Sequence, residues 1–315
     1  MSRGKPSAEG ARPHGFPGGR DQNFLTRRSP VAIAKYLPLF KIRICGLITF
    51  SAVVGFVAAQ SGDFSASTMF FLVVATMLAS MGASAFNHYF DRDIDTVMER
   101  TRGRPLPSRE LAGSAPVFLI AAALFLLSLL VSVKALNYMV ALHLALGAFT
   151  YAFIYTVWLK RRSWLNIIIG GLAGSFAVLA GGASVHPELC MPPLLLAVVM
   201  FFWTPSHFWS FAIFHREEYA RAGIPMLPVV IGDARTAVYI LVNTVLLVVS
   251  SLIPFFLGYN GLLYLAAAVA VGVYFIFWNV QLLMTPTREV AWKNFKISMM
   301  YLGVLFGAVI IDSAL

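Results

Sequence analysis

Nine stretches of about 20 residues, close to the length at which a helix crosses ~30 Å of hydrocarbon, dominate this chain. They fall near 44–60, 67–87, 115–133, 137–158, 165–184, 193–213, 236–258, 262–283 and 296–312. The first eight contain no Asp, Glu, Lys or Arg, and the ninth has only Lys296 and Asp312, at its ends. Of 315 residues, 59% are hydrophobic and 12% charged, against roughly 25% charged in an average soluble domain. There is too little polar surface here for a water-soluble enzyme, a disordered chain or a secreted disulfide scaffold. Cys45 and Cys190, both in or beside apolar runs, offer neither a disulfide framework nor a zinc cluster. The net charge of +10 points to a membrane surface rather than nucleic acid, because the basic residues sit between apolar runs. The expected fold is all-α, a polytopic membrane protein of nine transmembrane helices.

Charge placement orients the spans. With the N-terminus in the cytoplasm, 23 of the 24 Lys and Arg residues fall on the cytoplasmic side, leaving only Lys134 outside. Dropping one span would scramble that alternation. Nine spans put the C-terminus on the outer side. Residues 1–43 are rich in Arg, Gly and Pro, with only Glu9 and Asp21 acidic, and read as a flexible basic cytoplasmic tail. Residues 44–315 form the nine-helix domain. No apolar run precedes Ile44, so a cleaved signal peptide is not expected. A transit peptide is the other reading of a basic, acid-poor start, but no clear amphipathic period supports it. A short tail favours a bacterial plasma membrane over the mitochondrial inner membrane.

Ionisable residues near hydrocarbon are the informative ones, since each costs ~2.5–3.5 kcal/mol at a helix centre. Two cytoplasmic segments are dense with them. The first runs from Asn87 through Asp91, Asp93, Asp95, Glu99, Arg100, Arg102 and Arg104 to Pro105 and Pro107. If the second span continues as a helix, Asn87, Asp91 and Asp95 stand at i, i+4 and i+8 and form one stripe about 12 Å long. Oxygen donors so placed suit Mg²⁺ that also holds substrate phosphates. Asp93 points elsewhere. A solvated, charge-balanced loop is the bland alternative. It does not account for strict four-residue steps from the hydrocarbon edge, nor for the arginines that follow.

The second segment carries His207 within the sixth span and His215, Arg216, Glu217, Glu218 and Tyr219 after it. Glu218 is eleven residues past His207, close to three turns, so both face one way if the helix continues. An aromatic-flanked His207 suits a planar, metal-bearing ligand or plain packing about equally. His143 in the fourth span is as ambiguous. Gly170 with Gly174, and Gly181 with Gly182, read as close helix packing. No P-loop, dinucleotide fingerprint or Ser–His–Asp arrangement appears.

The first segment resembles the aspartate-rich motif of the intramembrane (UbiA-type) prenyltransferase superfamily. The stretch Pro205-x-His207-Phe-Trp, with Glu217-Glu218-Tyr219 and Ala-Gly-Ile-Pro-Met-Leu-Pro after it, is similar to the protoheme IX farnesyltransferase branch, the heme O synthases. That branch often has Asp where this chain has Glu218. The resemblance, from about Lys35 to Leu315, implies a nine-helix prenyltransferase bundle that moves the farnesyl group of farnesyl diphosphate onto a vinyl group of heme b. The product, heme O, is a precursor of heme A, with heme A synthase a partner. It implies that Asn87, Asp91 and Asp95 hold Mg²⁺ and diphosphate and that Arg100 and Arg104 clamp diphosphate oxygens. His207 would orient heme, with Glu218 and Tyr219 completing the polar mouth. Membrane lipid is the other partner; nucleic acid is not one. Two alternatives stay open. One is prenylation of a quinone precursor such as 4-hydroxybenzoate; the other is a cation-coupled transporter.

Overall fold

The computed structural model describes residues 35–315, apart from positions 61, 63, 110 and 112. Among the described residues, nine helices are long and apolar enough to cross a membrane. They are Leu37–Ala58, Ala66–Phe90, Ala115–Ala135, Tyr138–Leu159, Asn166–Val185, Met191–Phe214, Asp233–Phe256, Leu262–Met284 and Arg288–Asp312. The chain is an all-α integral membrane protein.

Two spans begin earlier than hydropathy indicates. The first starts at Leu37 rather than Ile44, and the ninth at Arg288 rather than Lys296. The reason is the same at both places. Arg43, like Arg288, Glu289 and Lys293, dilutes the apolar signal on backbone that is already helical, and the turn Leu37–Phe40 is set off from the rest of the first span by Lys41. Residues 1–34 of the expected tail lie outside the described residues, whereas Leu39 is fully buried in the bundle.

Local chemistry sets several helix starts. Ser65, Asn137 and Thr287 each accept a backbone N–H three residues on, from Thr68, Val140 and Val290. That satisfies one of the amides that every helix start leaves free. The eighth span is capped instead by a distant residue. Asp312 Oδ2 accepts from Gly261 N (2.6 Å) and Asn260 Nδ2 (3.3 Å), and Oδ1 from Tyr264 N (3.4 Å). A carboxylate at a helix N-terminus also meets the positive end of its dipole. Asp312→Ala is therefore expected to cost about 1 kcal/mol and lower the thermal midpoint of the detergent-solubilised protein by a few degrees, with Asp312→Asn in between. Superimposable melting curves would show that this cap contributes nothing.

Consecutive spans pack against each other all along the chain, and the first also packs on the fifth and the ninth on the sixth and first. Glycines permit the closest approach. A Cβ on Gly181 would stand 1.9 Å from Ala52 O, and one on Gly55 2.0 Å from Val178 O, so the first and fifth spans meet backbone to backbone. Gly182 presses on Pro193, Gly174 on Met200 and Gly170 on Tyr155. The glycine pairs read from the sequence as packing faces are contact points between helices. Buried side chains add hydrogen bonds across helices: Ser128 to Ala75 O, Ser175 to Ala197 O, and a chain through Ser206, Thr244, Asn279, Asn294 and Ser210 that ties spans six to nine. Large apolar side chains such as Phe256, Leu262 and Leu126 are exposed, as a lipid-facing surface requires.

Candidate active site

The second span stays regular to Phe90, and a short helix, Arg92–Val97, follows after a bend at Asp91. Helical bonding carries across the bend, with Asp91 N donating to Asn87 O (2.9 Å) and Asp95 N to Asp91 O (2.8 Å). The expected stripe therefore forms. Asn87, Asp91 and Asp95 are 3%, 0% and 2% exposed, so they face the protein interior and not bulk water. Asp93 points out, gripped by both terminal nitrogens of Arg161 at 2.6 Å. Those bonds hold its carboxyl below the ordinary range.

Three cations close on the stripe from different parts of the chain. Lys160 Nζ pairs with Asp91 Oδ2 at 2.5 Å, Arg104 Nη1 with Asp95 Oδ2 at 2.7 Å, and Lys41 Nζ donates to Asn87 Oδ1 at 2.8 Å. Asn87 Nδ2 donates to Asp91 Oδ2 (2.6 Å) and to Thr156 Oγ1 (3.1 Å). Lys41 adopts a left-handed backbone conformation with φ 44°, uncommon for a residue with a Cβ. Thr156 and Lys160 reach the stripe from the end of the fourth span, where Thr150–Leu159 is wound as a π-helix. Thr156 Oγ1 and Lys160 N both bond to carbonyls five residues back, at Tyr151 and Tyr155. Such windings recur at functional sites. Sequence reading missed Lys41, Thr156 and Lys160. The one available signal was that both lysines sit at the edge of an apolar run.

The second segment forms the facing wall, but not as a continuous helix. The sixth span ends at Phe214, the chain bends at His215 (φ −104°, ψ 22°), and a separate helix Arg216–Arg221 begins. Glu218 thus does not stack three turns beyond His207. Its Oε1 instead meets His215 Nδ1 at 3.3 Å. Burial, with Arg100 close by, pushes His215 down from its ordinary value, so at pH 7 the imidazole is uncharged and this contact is a hydrogen bond rather than an ion pair. Arg100 does not touch the carboxylate stripe; its guanidinium lies over the Phe211 ring, 5.2 Å from the centroid. Tyr219 is buried with Ile94, Met98, Ile224 and Met226, which clamp the two segments together, and that burial raises its phenol pKa. His207 is apart from the stripe, between the rings of Trp203 and Phe295.

Several polar atoms here are enclosed without partners: Asp91 Oδ1, Glu218 Oε2, both ring nitrogens of His88, and both amide atoms of Asn166. Each such atom left bare costs ~1–3 kcal/mol, a cost that a polar or ionic occupant beside Asp91 and Glu218 would offset. Among the described residues no cluster of three or more carboxylates, imidazoles or thiolates assembles. That suits Mg²⁺, which takes one or two carboxylates and completes its shell with substrate phosphates and water. Asp91 Oδ1 is the bare acceptor such an ion would satisfy. The residues present fit the group.

A family model described as the UbiA prenyltransferase family matches residues 48–304. The chain belongs to that family. Among curated UbiA relatives, it is 46% identical to protoheme IX farnesyltransferase 1 of Paramagnetospirillum magneticum over 279 residues, 88% of this chain and 98% of the relative. It is 41% identical to protoheme IX farnesyltransferase of Thioalkalivibrio sulfidiphilus, over 88% of this chain and 92% of that one. Solved structures carry the same fold at low identity. A digeranylgeranylglyceryl phosphate synthase aligns with TM-score 0.76 at 20% identity, covering 89% of this chain and 98% of the other. A UbiA homolog from Archaeoglobus fulgidus bound to DMAPP and Mg²⁺ aligns with TM-score 0.67 at 17% identity, covering 87% and 99%. UbiA membership makes this chain a prenyltransferase, so a transporter reading of the acidic segments falls away.

Proposed function

We propose that this enzyme transfers the farnesyl group of farnesyl diphosphate to a vinyl group of heme b. The observation that carries the donor half is the buried Asn87–Asp91–Asp95 stripe with Lys41, Arg104 and Lys160 converging on it. Cations and carboxylates fixed at one wall suit a diphosphate bridged by a divalent ion. The acceptor half is supported by the names of relatives that match nearly the whole chain, each a protoheme IX farnesyltransferase.

Asn87, Asp91 and Asp95 would hold Mg²⁺, whose contribution when bound is to neutralise charge on the departing diphosphate. Lys160, Lys41 and Arg104, released from their resting partners, would take its outer oxygens, with Arg100 entering from the facing wall. In such a dry site fixed cations stabilise developing charge far better than they would in water. The bond from farnesyl C1 to oxygen breaks with both electrons leaving on the diphosphate. The terminal vinyl carbon of heme b then bonds to C1, the adjacent carbon takes up water, and one proton is lost, giving the hydroxyethylfarnesyl group. The apolar walls keep water from the allylic cation before that bond forms. His207 would contact the acceptor, and Glu218 and Tyr219 would shape the mouth. The excess of Lys and Arg in alternate loops supports a mouth and N-terminus on the cytoplasmic side, the membrane on this reading would be a bacterial plasma membrane, and the heme O formed would pass to a heme A synthase.

Purified protein given heme b, farnesyl diphosphate and Mg²⁺ is expected to yield a later-eluting, more hydrophobic heme, and EDTA is expected to stop it. With 4-hydroxybenzoate as acceptor no prenylated product is expected. Unmodified heme b in the complete reaction would refute the assignment.

A further inference from the structure

The Phe214 end of the sixth span meets the Arg288 end of the ninth through rings. Phe211 lies 5.0 Å from Phe295, Phe214 4.7 Å from Trp292, and Trp292 stacks on Phe295 at 5.0 Å. His215 joins Phe211 and Phe214, at 4.5 and 4.7 Å. All five rings are half-buried, so this wall keeps uncovered ring surface. Two guanidinium groups stand on it. Arg100 lies over Phe211 and Arg288 over Phe214, each 5.2 Å from the ring centre, and His215 between them feels both charges. Arg100 comes from the loop after the carboxylate stripe and serves the donor side. Arg288 opens the ninth span and lies outside the donor site.

Arg288 is held in place yet lacks an anion. Its Nε donates to Phe214 O at 3.1 Å, which fixes the plane of the guanidinium. Its two terminal nitrogens have no partner among the described residues. Acids of the neighbouring loops are engaged elsewhere, Asp233 with Arg216, Glu218 with His215 and Glu99 with Arg221. Glu289, the next residue, forms no ion pair with it. A planar guanidinium with both terminal nitrogens free is a fork that takes a carboxylate by two parallel bonds. Its position also favours an anion. A cation in the first turn faces the positive end of the helix dipole, whereas a bound carboxylate would be attracted by dipole and guanidinium together.

The proposed acceptor has the matching chemistry. Heme b is a flat apolar ring with two propionates on one side and two vinyl groups on the other. Its carboxylates cannot follow the ring into hydrocarbon, so they stay at the membrane edge while the reacting vinyl points inward. We propose that Arg288 is the acceptor's carboxylate anchor, its terminal nitrogens binding a propionate while Phe214, Trp292 and Phe295 bear on the porphyrin. This rests on the proposed heme acceptor and adds a residue that holds its outer end. The line of rings from Arg288 to Arg100 then runs from the carboxylate side of the porphyrin toward the stripe, where farnesyl C1 is released.

The test compares heme b with heme b dimethyl ester, which has no free carboxylate, by absorption titration of the purified full chain in detergent. Wild type is expected to bind heme b about 10-fold more tightly than the ester, the scale of one hydrogen bond to a charged group. Arg288→Gln should weaken heme b by about 10-fold and leave the ester unchanged, so the preference disappears. Arg288→Lys should keep part of it, since an ammonium retains the charge but not the fork. Lys293 is turned to the eighth span, its ammonium 3.7 Å from the centre of the Trp278 ring, and Lys293→Gln should match wild type. In the transfer assay the Arg288→Gln loss should appear in KM for heme b and not in kcat. Unchanged farnesyl diphosphate binding reports that each variant is folded. If Arg288 only caps the sixth span through Phe214 O, Arg288→Gln will weaken heme b and ester alike. That result, or a wild type that does not distinguish the two, overturns the anchor and leaves the acceptor reading intact. If wild type binds neither porphyrin, the acceptor reading fails and the anchor falls with it.

Discussion

Asp91→Asn is expected to lower prenyl transfer by at least about 100-fold, the scale seen when one preorganised electrostatic group is removed from a reacting centre, with the protein still folded in the membrane. Asp91 is fully buried and links helices: Oδ2 takes Asn87 from its own helix and Lys160 from the fourth span, and Oδ1 is bare. Asn keeps the shape and one acceptor for Lys160 but lacks the charge that an incoming divalent ion needs. Heme product measured by chromatography at saturating Mg²⁺ reads the loss directly. Asp91→Ala is the harsher change, since it strands the Lys160 ammonium, only 12% exposed, without a partner; breaking a buried pair from one side costs ~3–5 kcal/mol. Pairing Asp91→Ala with Lys160→Met should recover much of the thermal stability and none of the transfer. Activity within a few-fold of wild type in Asp91→Asn would remove Asp91 from the donor site.

Gly181→Val should cost more stability than any of the other substitutions, above about 4 kcal/mol, the range reached by severe overpacking. A Cβ there meets Ala52 O at 1.9 Å and Phe56 N at 2.7 Å, and backbone cannot move aside as a flexible side chain can. The first and fifth spans would have to separate, carrying Lys41 away from Asn87. In fluorescence-detected size exclusion the variant should run as aggregate. Gly46→Ala and Gly303→Ala, where a new Cβ has nothing within 4 Å, are the controls and should elute as wild type. A monodisperse Gly181→Val would mean that the close crossing is not required.

What was legible in the sequence was what depends on local spacing or on the solvent. Nine apolar runs of membrane-spanning length, eight of them without a charged residue, state the architecture, since a backbone in lipid must satisfy its own hydrogen bonds as helix. The Asn87–Asp91–Asp95 stripe follows from four-residue steps, and the helical bonds that run through the bend at Asp91 keep all three residues buried. At the bend at His215 the same extrapolation failed: Glu218 does not follow His207, because the helix ends at Phe214 and Glu218 turns to His215.

Only tertiary structure decided who faces the stripe. Lys41 is 46 residues from Asn87, and Lys160 is 69 from Asp91. Neither the crossing of the first span nor the π-winding that turns Lys160 inward leaves a periodic trace in the sequence. The contact of Ser298 Oγ with His207 Nδ1 at 2.7 Å, across 91 residues, is hidden for the same reason. Local hydrogen bonding and hydrophobicity act on neighbours along the chain and can be read from them. Partners brought together by packing are selected by the shapes of distant helix faces, which no single stretch of sequence contains.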